Sequence, residues 1–331
     1  MELTDLEDNN SKATLIILKG MYILMNSKIR LTLIAITILI ATSNCQKTIK
    51  NEISTNPNKN YKADITKAAE QGDAEAQFHV ASMYATGEGV VENDKEAIKW
   101  YTKAAEQGNS SAQNNLGVMY DDGEGVLEND KEAVKWYTKA AEQGDALAQK
   151  NLGYMYDNGE GVLENDKEAV KWYTKAAEQS DADAQYILGV MYANGEGVLE
   201  NNKEAAKWYT KAAEQGHSDA QYILGIMHAN GEGVLENDKE AVKWYTKAAE
   251  QGHSDAQINL GIAYGKGEGV SVSHTEAYAW FLISNYINQT EETKKSVTKM
   301  NEVLDRETIN EGQQRAAELL KKIEQNIDIQ K

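Results

Sequence analysis

The sequence predicts an all-α protein, an α-solenoid (α/α superhelix) of tandem helical hairpins. Three observations predict it. A 36-residue unit recurs six times: Ala69–Ala104, Ala105–Ala140, Ala141–Ala176, Ala177–Ala212, Ala213–Ala248, and a drifting sixth copy from Ala249. Such a period marks stacked units, each touching only its neighbours. Within every unit, apolar residues fall at helical spacing in two stretches split by a glycine-bearing loop. The 331 residues contain one proline, Pro57, which suits helices joined by glycine turns.

The unit Ala141–Ala176 shows each element in order. Ala148, Leu152 and Met155, with Gly153 and Tyr156 beside them, make Ala146–Tyr156 an amphipathic helix, helix A. Asp157-Asn158-Gly159-Glu160-Gly161 follows as a loop whose glycines accept positive φ. Helix B opens at Asn165, whose side chain can cap the first free N–H groups while Glu168 reaches back to the cap's own N–H. The pairing recurs as Asn93/Glu96, Asn129/Glu132, Asn201/Glu204, Asn237/Glu240 and Ser273/Glu276. Helix B buries Ala169, Trp172, Tyr173 and Ala176, and glycines 72, 108, 144, 216 and 252 stop it, with Ser180 in that place once. One hairpin cannot cover its own apolar face, so the units must stack.

The pattern Ala-x-Ala-Gln-x-x-Leu-Gly-x-Met-Tyr-x-x-Gly-x-Gly-Val, then Lys-Glu-Ala-x-Lys-Trp-Tyr-x-Lys-Ala-Ala-Glu-Gln-Gly, resembles the Sel1-like repeat, a relative of the tetratricopeptide repeat. The resemblance covers about residues 69–285. Ala277-Tyr278-Ala279-Trp280-Phe281 is similar to the family's last helix B, and residues 305–326 resemble its polar-faced capping helix. Tyr61–Ala68 is expected as a partial helix B covering the first unit. The expected organisation is 62–285 for six repeats and 286–331 for C-terminal capping helices.

Upstream, Lys28 and Arg30 precede an apolar run, Leu31–Ala41, of eleven residues. That is too short for a transmembrane helix of about 20 residues and suits an export signal. Thr42, Ser43, Asn44 and the chain's one cysteine, Cys45, follow. The stretch resembles a bacterial lipoprotein signal, which implies cleavage before Cys45 and lipid attachment to it. Thr42 and Asn44 depart from the family's Leu-like and small residues, so ordinary signal-peptidase cleavage and an uncleaved anchor stay open. Residues 25–44 are read as the signal and 45–61 as a polar tether. Glu2, Asp5, Glu7 and Asp8 fit no signal start, and 1–24 is expected to lie outside the native product. The resemblance implies that Asp after the cysteine would hold the protein at the inner membrane; Gln46 stands there, so an outer-membrane anchor facing the periplasm is expected, with a soluble periplasmic or secreted protein as the alternative.

The net charge of −18 is spread along the array: the unit 141–176 carries seven acids against four lysines. Evenly distributed negative charge repels phosphate backbones and argues against nucleic acid as a partner. One cysteine rules out disulfides within the monomer, the expected state. The five histidines offer no third ligand, so no metal site is read, and no cofactor; His217 and His253 share a unit position and are expected on an outer ridge. No nucleophile–base pair or phosphate loop appears, and an enzyme is the least favoured reading.

The copies can be compared with one another. Helix B is nearly constant, whereas helix A varies at four places three or four residues apart, a single stripe: Leu147/Lys150/Tyr154/Asp157 in one unit, Asp183/Tyr186/Val190/Ala193 in the next. In tetratricopeptide-type solenoids helix A lines the groove, so the resemblance implies that this stripe meets a protein or peptide. Phe78, Asn114, Lys150, Tyr154, Tyr186, Tyr222 and Ile258 are the candidate contacts. The competing reading packs the tyrosines between neighbouring units. The function expected is a non-enzymatic binding scaffold tethered to a bacterial envelope membrane, with a secreted or surface-exposed factor acting on another cell as the alternative.

Overall fold

The computed structural model describes residues 61–288 and 291–330. Cys45, the signal and the tether lie outside the described residues. The chain separates into two units, Met1–Asp64 and Ile65–Lys331. Among the described residues there are fifteen helices and no strand. α1 (Tyr61–Glu70) precedes six hairpins. Their A helices are α2 (Ala74–Thr86), α4 (Ser110–Asp122), α6 (Ala146–Asn158), α8 (Ala182–Asn194), α10 (Ser218–Asn230) and α12 (Ser254–Lys266). Their B helices are α3 (Asp94–Glu106), α5 (Asp130–Glu142), α7 (Asp166–Glu178), α9 (Asn202–Glu214), α11 (Asp238–Ala249) and α13 (His274–Asn288). α14 (Glu291–Val303) and α15 (Arg306–Gln330) end the chain. Each A helix packs on its own B helix, and each B helix on the next A, which is a solenoid.

The hairpin core is the expected one. Ala148, Leu152, Met155, Ala169, Tyr173 and Ala176 are almost fully enclosed, and Trp172 is 7 % exposed. Gly153 lets helix A touch helix B: a Cβ there would lie 2.8 Å from the Tyr173 ring. Gly161, at φ +66°, lets the loop seat on the preceding unit, where a Cβ would meet the Asp130 carbonyl at 2.5 Å. Ser180 takes the left-handed conformation at φ 71°, the turn that glycine makes in the other units.

The helix B cap differs from the reciprocal box read in the sequence. Asn165 Oδ1 accepts from the Glu168 N–H at 3.2 Å, as expected. The Asn165 N–H, however, donates to the Tyr156 carbonyl at 2.8 Å, across the hairpin. Glu168 is thereby released and pairs with Lys171 at 2.9 Å. The cap thus also latches helix B to helix A.

A buried glutamine joins successive units. Gln149, 4 % exposed, donates Nε2 to the Ala141 carbonyl at 3.1 Å, and its Oε1 accepts from Gln179 of the next hairpin at 2.8 Å. The link recurs as Gln107–Gln77, Gln143–Gln113, Gln215–Gln185 and Gln251–Gln221 at 2.6–2.7 Å. Position 287, where the next donor would stand, is Ile, and the Gln257 Oε1 is buried without a partner.

α15 covers α13 in place of a seventh helix A. Ala316, Leu319 and Ile323 are buried in the same cluster as Trp280 and Ile283. Arg315 meets Glu276 at 2.7 Å, Lys322 meets Glu250 at 2.6 Å, and Asn326 donates to the Glu250 carbonyl at 3.1 Å. Asp305 caps the helix by accepting from the Thr308 N–H at 2.9 Å, which holds its carboxyl below the ordinary range. The far side of α15 is polar (Gln313, Gln314, Glu318, Lys321), as a solenoid end requires.

Candidate functional site

Helix A residues of successive units meet side by side. Asn151 on α6 donates to Asn114 on α4 at 3.1 Å, and Lys150 on α6 binds Asp183 on α8 at 2.7 Å. The A helices therefore form one continuous row. The stripe runs along it: its first member is exposed in every unit, and the remaining members are mostly half-buried.

The seven candidate residues differ in what they offer. Tyr154 is 47 % exposed, and Leu147, one of the stripe's first members, is 54 % exposed on the same helix. Lys150 stands between them, half-buried, and its hydrogen bond holds the Asp183 carboxyl below the ordinary carboxylate range. Phe78 and Ile258 are half-buried; the Phe78 ring lies 5.8 Å from Tyr101. Asn114 is a correction: it is 5 % exposed, because its short amide is enclosed by Asn115 and Asn151.

Tyr186 and Tyr222 pack between units as well as facing the row, the arrangement of the competing reading. Tyr186 stacks on His217 at 4.6 Å and leans on Tyr209 at 5.9 Å. Tyr222 stacks on His253 at 4.5 Å. The histidines are not on an outer ridge, which is a second correction. They replace Asp or Asn as N-caps of α10 and α12, each Nδ1 accepting from a backbone N–H at 3.3 Å. Each Nε2 then faces the carboxylate of the previous unit, Asp183 at 3.8 Å and Asp219 at 3.4 Å. An imidazole is long enough to cap and stack at once, which the shorter acids are not.

The loop end of the row is acidic. Burial, and then the neighbouring carboxylates Asp122, Glu160 and Asp130, push the Asp121 carboxyl up; the Tyr137 hydroxyl donates to it at 3.2 Å. Asp157 is raised by burial and by Asp166, Glu196 and Glu164. At the C-terminal end, Tyr245, its hydroxyl pushed up to about 12 by burial, lines a cleft of about 160 Å³ with Asn259, Ile262 and Glu268. Among the described residues no group of three His, Cys, Asp or Glu could hold a metal, and no helix is long and apolar enough to cross a membrane.

The architecture and the unit pattern can now be set beside known proteins. The Sel1 repeat matches six consecutive segments: 74–109, 110–145, 146–181, 182–217, 218–253 and 254–284. The chain belongs to the Sel1 repeat family. Sel1 repeats build protein-interaction scaffolds, typically without enzymatic activity. Among solved structures, the chain is similar to a protective antigen of uropathogenic Escherichia coli displaying an SLR fold, at 33% identity and TM-score 0.72. That match covers 80% of this chain and 56% of the antigen, so the chain spans little more than half of it. It is also similar to a Sel1 repeat protein from Oxalobacter formigenes, at 36% identity and TM-score 0.57, covering 67% of this chain and 87% of that one. No curated protein sequence matches.

Two features of this Sel1 array were missed by the reading of its sequence. The buried glutamine chain had a signal: a polar residue constant in six copies, on the apolar face of helix A. The aliphatic residue before the Glu-Asn pair of the first five loops (Leu163 and its equivalents) had a weaker signal: a large apolar residue repeated among polar neighbours.

Proposed function

We propose that this Sel1 repeat protein is a non-catalytic scaffold that holds a protein or peptide partner along its helix A row, while tethered through Cys45 to a bacterial envelope membrane. One observation carries the binding reading. Leu147 and Tyr154 are large apolar side chains left exposed on the middle A helix, on either side of Lys150. The fold does not use their outer surfaces, and apolar anchors around a polar centre are how a groove grips a peptide. Tyr186 and Tyr222 extend the face while also holding units together. The outer membrane, on its periplasmic side, is the membrane proposed. The relative described as a protective antigen supports an envelope setting.

A photo-crosslinking amino acid at position 154, in the protein expressed in its own cells, should give a discrete adduct. The same group at Lys171, an exposed helix B position, should give none. Equal adducts from both positions, or none from either, would sink the helix A reading. The tether is tested separately with a palmitate analogue: the wild type should label and Cys45→Ala should not. Equal labelling of the two removes the lipid anchor and leaves a soluble periplasmic or secreted scaffold.

A further inference from the structure

Besides the helix A row, the array carries a second periodic surface at its loop edge. Val91, Leu127, Leu163, Leu199 and Leu235, one in each of the first five hairpins, are 88–90 % exposed, and Ser271 holds the same place in the sixth. Single exposed leucines are ordinary on a protein surface; a row of five at one-unit intervals is not. Nothing in the fold requires them. The preceding valine of each loop is half-buried, and Val162 and Val234 pack on hydrophobic clusters. The backbone beside it is held by the Asn165–Tyr156 hydrogen bond and the close seat of Gly161 on Asp130. The leucine is therefore presented outward by a rigid loop, and a polar residue there would cost the fold nothing. The stripe's first member shows the contrast: also exposed in every unit, it has drifted through Glu75, Ser111, Leu147, Asp183, Asp219 and Asp255.

Spacing and charge define what fits. Neighbouring A helices touch through side chains, and packed helices lie 8–10 Å apart, so the ridge steps roughly 10 Å per unit. Seven residues of an α-helix rise about 10.5 Å. Each ridge residue is followed by an exposed glutamate (Glu92, Glu128, Glu164, Glu200, Glu236), and a further glutamate, Glu88, Glu124, Glu160, Glu196 or Glu232, stands three residues before it. A second copy, or an anionic lipid surface, would set negative charge against negative charge.

We propose that this ridge docks a basic amphipathic α-helix of a partner protein, with aliphatic side chains at heptad spacing flanked by Lys or Arg. The surface is separate from the helix A row, so each can fail without the other.

The test uses two synthetic helical peptides of identical composition, rich in Leu and Lys. One repeats leucine every seven residues, the other every nine. At physiological salt the wild-type protein should bind the heptad peptide at least about tenfold tighter than the other. A quadruple variant, Leu127→Ser, Leu163→Ser, Leu199→Ser and Leu235→Ser, should lose that preference while keeping its melting temperature and its crosslink at position 154. Equal binding of both peptides, equal binding by wild type and variant, or no binding at all overturns the proposal. So does a leucine-dependent dimer in light scattering, or leucine-dependent sedimentation with phosphatidylglycerol vesicles, either of which would name a different occupant.

Discussion

The two helices of each hairpin have had opposite histories within one chain. Helix B reads Asp-Lys-Glu-Ala-Val-Lys-Trp-Tyr-Thr-Lys-Ala-Ala-Glu three times over, at 130–142, 166–178 and, almost to its end, 238–249, whereas no two A helices agree. Helix B is packed by its own A helix and by the next one, so its apolar face is committed twice. Even its exposed side has local duties: Lys175 lies 3.9 Å over the Trp172 ring, and Lys171 pairs with Glu168. Helix A commits its alanine, glutamine, leucine and methionine positions in the same way, but its stripe faces the neighbouring A helices and solvent. The difference teaches where the fold's demands end and where sequence is free to vary.

That comparison can be broken by substitutions, and the largest effect lies in the shared core. Leu188→Ala on α8, a residue with no exposed surface, should lower stability by about 2–5 kcal/mol in denaturant unfolding. A loss as small as that of a stripe substitution would erase the distinction between committed and free faces. Next comes the glutamine chain. Gln185→Leu strands the Ala177 carbonyl and the Gln215 amide, and should cost about 1–3 kcal/mol. Gln257→Leu should cost less, since the Gln257 Oε1 has no partner to lose. Equal losses at both positions would mean that the link between units adds nothing.

Smaller effects sharpen the comparison on the helix A side. Tyr154→Ala should change stability by less than ~0.5 kcal/mol, as an exposed side chain does. Tyr186→Ala should cost more, because the ring also packs on His217 and Tyr209. The smallest effect is electrostatic. The folded carboxyl of Asp157 holds its proton more tightly than the unfolded one, so its contribution to stability falls as pH rises through the carboxylate range. Asp157→Asn should therefore stabilise the protein by roughly 0.5 kcal/mol at pH 7, the group being partly solvated, and by nothing at pH 3. Asp183 runs the other way: Lys150 depresses its folded value, and that stability is lost as pH falls through it. Unfolding midpoints from pH 3 to 7 check both signs.

The hairpins and their caps were legible in the sequence because local chemistry decides them. Asn165, Gly159 and the spacing of Leu152 and Met155 act within a few residues of one another. Burial of Asn114 was not legible, since it depends on Asn151 arriving from the next unit, 37 positions away. The stacking of Tyr186 on His217 was hidden for the same reason. The capping box was half legible: the side-chain bond is local, whereas the backbone bond to Tyr156 needs the hairpin closed.

By itself the sequence determined the class of the fold, the units, their helix boundaries to within a turn, and the division between a constant and a varied helix. Periodicity, capping and glycine placement are short-range properties that six copies repeat. Only the tertiary structure decided which stripe residues are free, that His217 and His253 join units, and that five aliphatic loop residues form one exposed line. Each of those depends on residues brought together from neighbouring units, and stacking alone sets which surfaces meet and which stay open to water.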